Sequence, residues 1–551
     1  LRLSTRTSTP RFAESTAPST CAPLPVPQIR TRSSRIVGPF GLGEARERIS
    51  LPKTIASTPS AILESLRDDE ASGPRDRASR RLLLVFFLSV FGAYAWFYNG
   101  SGDNQLARLD PVFGFVEPGH AGYRTFRIDR FIVREDFNTG DWSRVRNHYY
   151  SNKAPGTTLL AVPCYELLFR LERALGVDPT TFAATSVNSY LLGLAVGALP
   201  VAVAATLFLG FLLGRGWSRT DALFVASLFA YGSLLFPFST MLWGHPTAAA
   251  FLMMALIAML SRRPMPFAAG FLCAMAMLTD HLAIASLALF FGCLIVVKPR
   301  RNPLRYVAGT ALPLIALAAY DTFLFGSPLR TAPGMSNPMF IDKTKFAGVF
   351  GLPSLQVAMK LLVSPERGIF LYTPVLLFVI AAASRRFRAH PRRETLFAIA
   401  NAAAYFVLNT MFNGWDGGWS TGPRYLILAM PFCFVLMPRP LALPVWLRAM
   451  YVTAALVTVT NMIAIASVTP MTSVERNPLY GPTYHAFFTG HLQPCDNIVV
   501  RLHPVNTPAD KQIACFNLGN RFLHLDGAWT LLPLLLLMAM PWLLPGRLGD
   551  R

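Results

Sequence analysis

Apolar residues in this chain come in long runs separated by short polar stretches, and the runs set its organisation. A charge-free window of about 20 residues is long enough to cross a hydrocarbon core. Such runs occur near 81–98 (LLLVFFLSVFGAYAWFY), 185–213, 222–242, 246–261, 265–279, 282–297 and 304–325. Others follow near 368–384, 395–412, 423–437, 449–468 and 528–544. The pattern predicts an all-α integral membrane protein, a bundle of about twelve transmembrane helices within residues 76–545. Residues 1–75 are rich in Ser, Thr, Pro and Arg, show no apolar period and begin at Leu. They are expected to be a disordered or mis-assigned N-terminal extension.

One further stretch, 157–175, is apolar enough to be taken for a span. It carries Glu166, Arg170, Glu172 and Arg173, each costing about 2.5–3.5 kcal/mol near a bilayer centre. Leu160, Leu167, Leu168, Leu171 and Leu175 fall on one helical face, so an interfacial helix lying on the membrane surface is expected instead. With that stretch excluded, alternate connections carry Arg215/Arg219, Arg262/Arg263, Lys298/Arg300/Arg301/Arg305, Arg385/Arg386/Arg388/Arg392/Arg393, Arg439/Arg448 and Arg547/Arg551. Basic connections belong in the cytoplasm. Both termini are therefore expected inside a plasma (inner) membrane, with long outer loops at 99–181 and 469–526 facing the periplasm or exterior. Several middle spans are near 15 residues, which suggests a cavity or a thinned region.

Composition agrees with this class. Of 551 residues 52% are hydrophobic and 15% charged, against roughly 25% charged in soluble domains. The formal charge of +21 lies in clusters beside the spans, which suits anionic lipid headgroups. No nucleic-acid-binding motif accompanies it, so nucleic acid is excluded as a partner. Seven cysteines show no CxxC pair, and no HExxH or carboxylate cluster has ligand spacing, so no metal or cofactor is expected. Cys495 and Cys515 share one outer loop on the oxidising side and are expected to form a disulfide.

Candidate chemistry concentrates in the first outer loop, RIDRFIVREDFNTGDWSRVRNHYYSNKAPG from Arg127 to Gly156. A carboxylate there can accept a hydroxyl proton, and a cation can hold a phosphate. The Pro-Gly turn would hold Lys153 at headgroup depth. A solvated loop with incidental charges is the alternative. Arg367 and Arg424 sit at the outer ends of spans, where a cation either snorkels or meets an anion. His245 and the pair Asp280–His281 face the same side, and a His at a span end is commonly structural. Trp415 and Trp419 either stack on a sugar ring or belong to an aromatic belt.

The order of features resembles the GT-C superfamily of membrane glycosyltransferases: one span, a long acidic outer loop with surface helices, then a bundle of ten or so spans. More narrowly, ARLDPVFGFVE, RID, TGD, HYYSNKAPG, SPERGIFLYTP and WDGGWSTGPRYL resemble a group of bacterial GT-C-like proteins. Their motif reads YSDKAPG; Asn152 stands here at its Asp, so no catalytic role is carried to that position. The resemblance covers about residues 80–545 and implies an inverting transferase. Its donor would be a polyprenyl-phosphate sugar and its acceptor an envelope glycan, lipid or protein. Asp129 and Asp141, then Asp110, are expected as the base, and Lys153, Arg367 and Arg424 as the phosphate clamp. Tyr149, Tyr150, His245, Trp415, Asp416 and Trp419 are expected to line the substrate site. A transporter or channel for a lipid or small solute is the alternative. The absence of an internal repeat and the gathering of ionisable residues at one boundary weigh against it.

Overall fold

The computed structural model describes residues 74–100, 102–132, 139–296, 303–346, 348–389, 393–472, 476–492 and 515–545. The N-terminal extension through residue 73, and Cys495, lie outside them.

Helices occupy the apolar runs because Leu, Ala, Phe and Val without charges leave the backbone no better hydrogen-bond partner than itself. Among the described residues three are long and apolar enough to cross a membrane: Phe182–Gly214, Pro303–Phe325 and Val445–Val468. The first contains a π-helical stretch at Gly193–Ala198. Shorter apolar helices include Gly244–Leu260, Pro266–Thr279 and His281–Val296. Helices also form at Pro74–Ala95 and Arg393–Met411. The expected runs thus coincide with helices, and the count of twelve crossings exceeds the three that qualify by length and composition.

Several basic connections meet at one end of the bundle. Arg215 donates to Leu260 O at 2.6 Å and Arg262 donates to Gly214 O at 3.2 Å. Arg219 donates to Leu544 O at 2.7 Å. The Leu441 N–H donates to Asp221 at 2.8 Å, and Arg439 lies 4.9 Å from the Trp217 ring. Helices turn back from this basic end toward an opposite end near residues 98–99, 240–245 and 466. There Asn99 bonds Thr240 at 2.8 Å and Ala466 O at 2.9 Å.

The stretch between the Pro74–Ala95 helix and the Phe182–Gly214 helix folds over that opposite end. A helix at Asp103–Val116 packs on the helix Gly156–Ala174 through Phe113 and Tyr165, with ring centroids 4.9 Å apart. The second of these covers the stretch whose sequence suggested an interfacial helix. It buries Ala161, Tyr165 and Phe169 and leaves Leu167, Leu171 and Leu175 exposed. Between them runs a hairpin of β2 (Trp142–Val145) and β3 (His148–Ser151). Arg146 and Asn147 both have positive φ, 50° and 63°, the type I′ geometry that matches the strand twist of a two-residue turn. A second antiparallel pair, β1 (Phe97–Tyr98) with β4 (Phe516–Asn517), ties the end of the first helix to the last loop.

Two glycines set the close packing here, Gly156 of this layer and Gly244 of the bundle. A Cβ on Gly156 would lie 2.7 Å from Leu278 O and Thr279 Cα, and one on Gly244 would lie 2.6 Å from Thr279 O. The backbones can approach so closely only where no side chain intervenes. Thr279, the last residue of its helix, is therefore clasped from both sides.

Candidate functional site

The hairpin register builds the centre of the site. Trp142 pairs with Ser151, so Asp141 and the residues after Ser151 leave the open end of the hairpin side by side. Lys153 Nζ lies 2.8 Å from Asp141 Oδ1. A strap holds this end in place. Ser143 donates to Ala332 O at 2.7 Å, the Asn337 N–H donates to Trp142 O at 2.9 Å, and Asn152 Nδ2 donates to Ser336 Oγ at 2.8 Å.

Two arginines join the pair. Arg108, on the Asp103–Val116 helix, is buried beside Gly244. Its Nη1 donates to Asn104 O at 2.6 Å and also to Asn104 Oδ1. Arg424 is held between the rings of Trp243 and Tyr425, 4.8 and 5.1 Å from their centroids. Its Nη2 donates to the Tyr425 hydroxyl at 3.2 Å. The Nε atoms of both arginines are enclosed and have no hydrogen-bond partner among the described residues.

Electrostatics show that these groups share one field. Burial pushes the Asp141 carboxyl up, but Lys153, with Arg424 and Arg108, outweighs it and holds the group below the usual carboxylate range. Burial lowers the Lys153 ammonium; Asp141 opposes this and the two arginines add to it. Burial also brings Arg108 down to about 10, against the pull of Asp280 and Asp141. Three cations thus face two carboxylates, Asp141 and Asp280, which leaves a positive excess suited to a further anion.

Beside them His245 and Asp280 form a second pair. Asp280 Oδ2 contacts His245 Nδ1, and its Oδ1 accepts from the Leu282 N–H at 3.1 Å. The His245 ring stands edge-on to Tyr425, with centroids 5.3 Å apart.

The remaining expected residues are distributed otherwise. Asp129 bonds His148 at 2.9 Å and accepts from the Tyr149 N–H at 2.7 Å. It therefore sits at the turn end of the hairpin, about 13 Å of strand from Asp141 and Lys153 at 3.3 Å per residue. Asp110 is fully buried on the same helix as Arg108, and residues two apart do not share a helix face. Tyr149 packs on Trp142, and Tyr150 on Phe325. Arg367 is fully buried. It donates to the carbonyls of Asp416, Glu366 (2.8 Å) and Gly418 (2.8 Å), which shapes the Trp415–Trp419 loop. Asp416 accepts from the Gly418 N–H at 3.2 Å, Trp415 lies 5.0 Å under Lys360, and Trp419 is partly exposed. Cys515 is disulfide-bonded, and the four other described cysteines are not in disulfides.

Arg108 and the partnership of Asp280 with His245 are absent from the expected set. The signal for Arg108 was a single Arg in an amphipathic helical stretch, four residues after Asn104. Among the described residues no group of three or more His, Cys, Asp or Glu could hold a metal ion.

No known protein family and no curated protein matches the chain. Two solved structures are similar to it. ArnT from Cupriavidus metallidurans bound to undecaprenyl phosphate is 14% identical with a TM-score of 0.43, covering 84% of this chain and 77% of that one. The same protein in the apo state is 16% identical with a TM-score of 0.40, covering 88% and 78%. At this degree of likeness the site is read from its own geometry.

Proposed function

We propose that this protein is an integral membrane glycosyltransferase that takes a sugar from a polyprenyl-phosphate donor. Arg108, Lys153 and Arg424 hold the phosphate. The observation that carries the reading is the gathering of these three cations, Arg108 buried and Lys153 and Arg424 half-buried, around the carboxylate of Asp141. A bound phosphate would occupy the enclosed donors of Arg108 and Arg424 and balance their charge.

An apolar cavity of about 520 Å³ supports the lipid half of the donor. It is lined by Ile369, Phe370, Leu376, Val379, Phe406 and Leu426 among others. Ile369 and Leu426 are each two residues from an arginine, Arg367 and Arg424, so an isoprenoid chain in the cavity would start near the cations. In this reading the basic end of the bundle faces the cytoplasm, and the site faces the exterior of a plasma membrane. Nucleotide sugars are made inside, so a site outside needs a donor already carried across on a lipid. Phosphate departure stabilised by three cations needs no general acid, and direct attack inverts the anomeric centre. Arg367 serves as a positioning residue, holding the loop that carries Arg424 toward the hairpin.

The test is binding of a long-chain polyprenyl phosphate to the full chain in lipid nanodiscs. Lys153→Ala, Arg108→Ala and Arg424→Ala should each weaken binding by about tenfold or more, since a charge-assisted hydrogen bond is worth about 1.5–3 kcal/mol. Binding unchanged within about twofold in all three variants would sink the proposal. Comparing lipid-linked glycans of a deletion strain with those of its parent identifies the sugar.

A further inference from the structure

We propose that His245, oriented by Asp280, is the proton acceptor for the incoming hydroxyl, and that Asp141 is a positioning residue for Lys153. The proposal rests on the transferase reading above and adds to it the identity of the base.

The hydrogen bonds fix which nitrogen is free. Both oxygens of Asp280 are engaged, Oδ1 by the Leu282 N–H and Oδ2 by His245 Nδ1. A carboxylate only accepts, so Nδ1 carries the proton and Nε2 bears the lone pair. Nε2 has no hydrogen-bond partner among the described residues and is absent from the enclosed unsatisfied atoms. The side chains of His245 and Asp280 are each 9% exposed. This is the arrangement by which a carboxylate holds an imidazole in one tautomer and stabilises the imidazolium that forms.

The location is set by three elements. His245 begins the Gly244–Leu260 helix, and Asp280 ends Pro266–Thr279. Gly244, against the Thr279 carbonyl, fixes their separation. Trp243 and Tyr425, which sandwich Arg424, both flank the His245 ring, with centroids at 6.1 and 5.3 Å. His245 is thus a direct neighbour of the phosphate clamp.

The three carboxylates expected as the base are otherwise engaged or placed. Asp141 is paired with Lys153 at 2.8 Å, so its Oδ1 is already engaged. Both oxygens of Asp129 are taken, at the far end of the hairpin. Asp110 is two residues from Arg108 and so points to another side of its helix.

The step balances. The acceptor oxygen forms a bond to the anomeric carbon while the bond from that carbon to the phosphate oxygen breaks. The electron pair stays on the phosphate oxygen among Arg108, Lys153 and Arg424. The hydroxyl proton passes to His245 Nε2, leaving an imidazolium paired with the Asp280 carboxylate. Products are the inverted glycoside and the free polyprenyl phosphate.

The experiment uses the full chain in nanodiscs with polyprenyl-phosphate-sugar lipids and acceptor-containing membranes extracted from the cells that make the protein. Release of polyprenyl phosphate is measured, and binding of polyprenyl phosphate is measured separately. His245→Gln should bind polyprenyl phosphate within about threefold of wild type, while transfer falls by about 10²–10⁴-fold, the usual worth of a general base. In His245→Ala, added imidazole should restore part of the transfer, which a merely structural histidine would not allow. His245→Gln transferring within about tenfold of wild type overturns the assignment, as does loss of binding in step with transfer in both variants. Wild-type protein that neither binds polyprenyl phosphate nor releases it overturns the transferase reading itself, a distinct result.

Discussion

Lys153 is half-buried with two arginines for neighbours, and Asp141 opposes the loss of its proton. Burial and the cations lower its affinity for a proton; the carboxylate at 2.8 Å raises it. Removing the carboxylate leaves only the lowering effects. Anion binding that needs the ammonium is present below the lysine's pKa and lost as pH rises through it. Asp141→Asn should therefore shift the alkaline loss of polyprenyl-phosphate binding to lower pH, measured as a binding-versus-pH curve. An alkaline limb that does not move would mean that Lys153 is not held by Asp141. Lys153, Arg424 and Asp141 were readable from sequence because they lie in polar motifs beside long apolar runs. Arg108 was not, since one Arg in an amphipathic stretch looks like any solvated position until the fold encloses it. Arg367 was read as a cation for a ligand, yet its three donor directions end on the carbonyls of Glu366, Asp416 and Gly418. A sequence cannot tell whether a guanidinium meets a ligand or its own backbone.

Among the secondary-structure elements, the apolar runs and the helices agree closely, because a charge-free window specifies a helix by exclusion. The hairpin escaped notice: strands of four residues with a two-residue turn leave too short a period to read. It decides the site all the same, since the pairing of Trp142 with Ser151 brings Asp141 to Lys153. The helix tips are held by the two glycine contacts at Thr279. Alanine at Gly156 or Gly244 would place a methyl group 2.6–2.7 Å from backbone atoms. Each change should lower stability by about 1–3 kcal/mol, the range for overpacking a tight site, and should reduce polyprenyl-phosphate binding as well. Alanine at Gly292, where a Cβ meets nothing within 4 Å, is the control. A Gly156→Ala protein as stable as that control would show that the layer is not clasped there.

For the molecule as a whole, the separation of the basic end from the site end makes topology testable. A single cysteine in place of Arg263 should resist an impermeant thiol reagent in intact cells, and one in place of Arg330 should react. The reverse pattern would invert the proposed orientation. Cys515 is disulfide-bonded, and Cys495 is the proposed partner because the two share a loop assigned to the oxidising side. Mass spectrometry of unreduced peptides should find that pair linked, and a free thiol at Cys495 would reject it.

The clamp draws on parts of the chain far apart in sequence: Arg108, Asp141 with Lys153, and Arg424. Ribosomal synthesis delivers them in that order, so a growing chain carries Arg108 and Lys153 well before Arg424 exists. Until then the site lacks one of its three cations and the Trp243–Tyr425 sandwich that seats it. In the proposed reading, the unfinished chain therefore offers a lipid phosphate only two of the three cations.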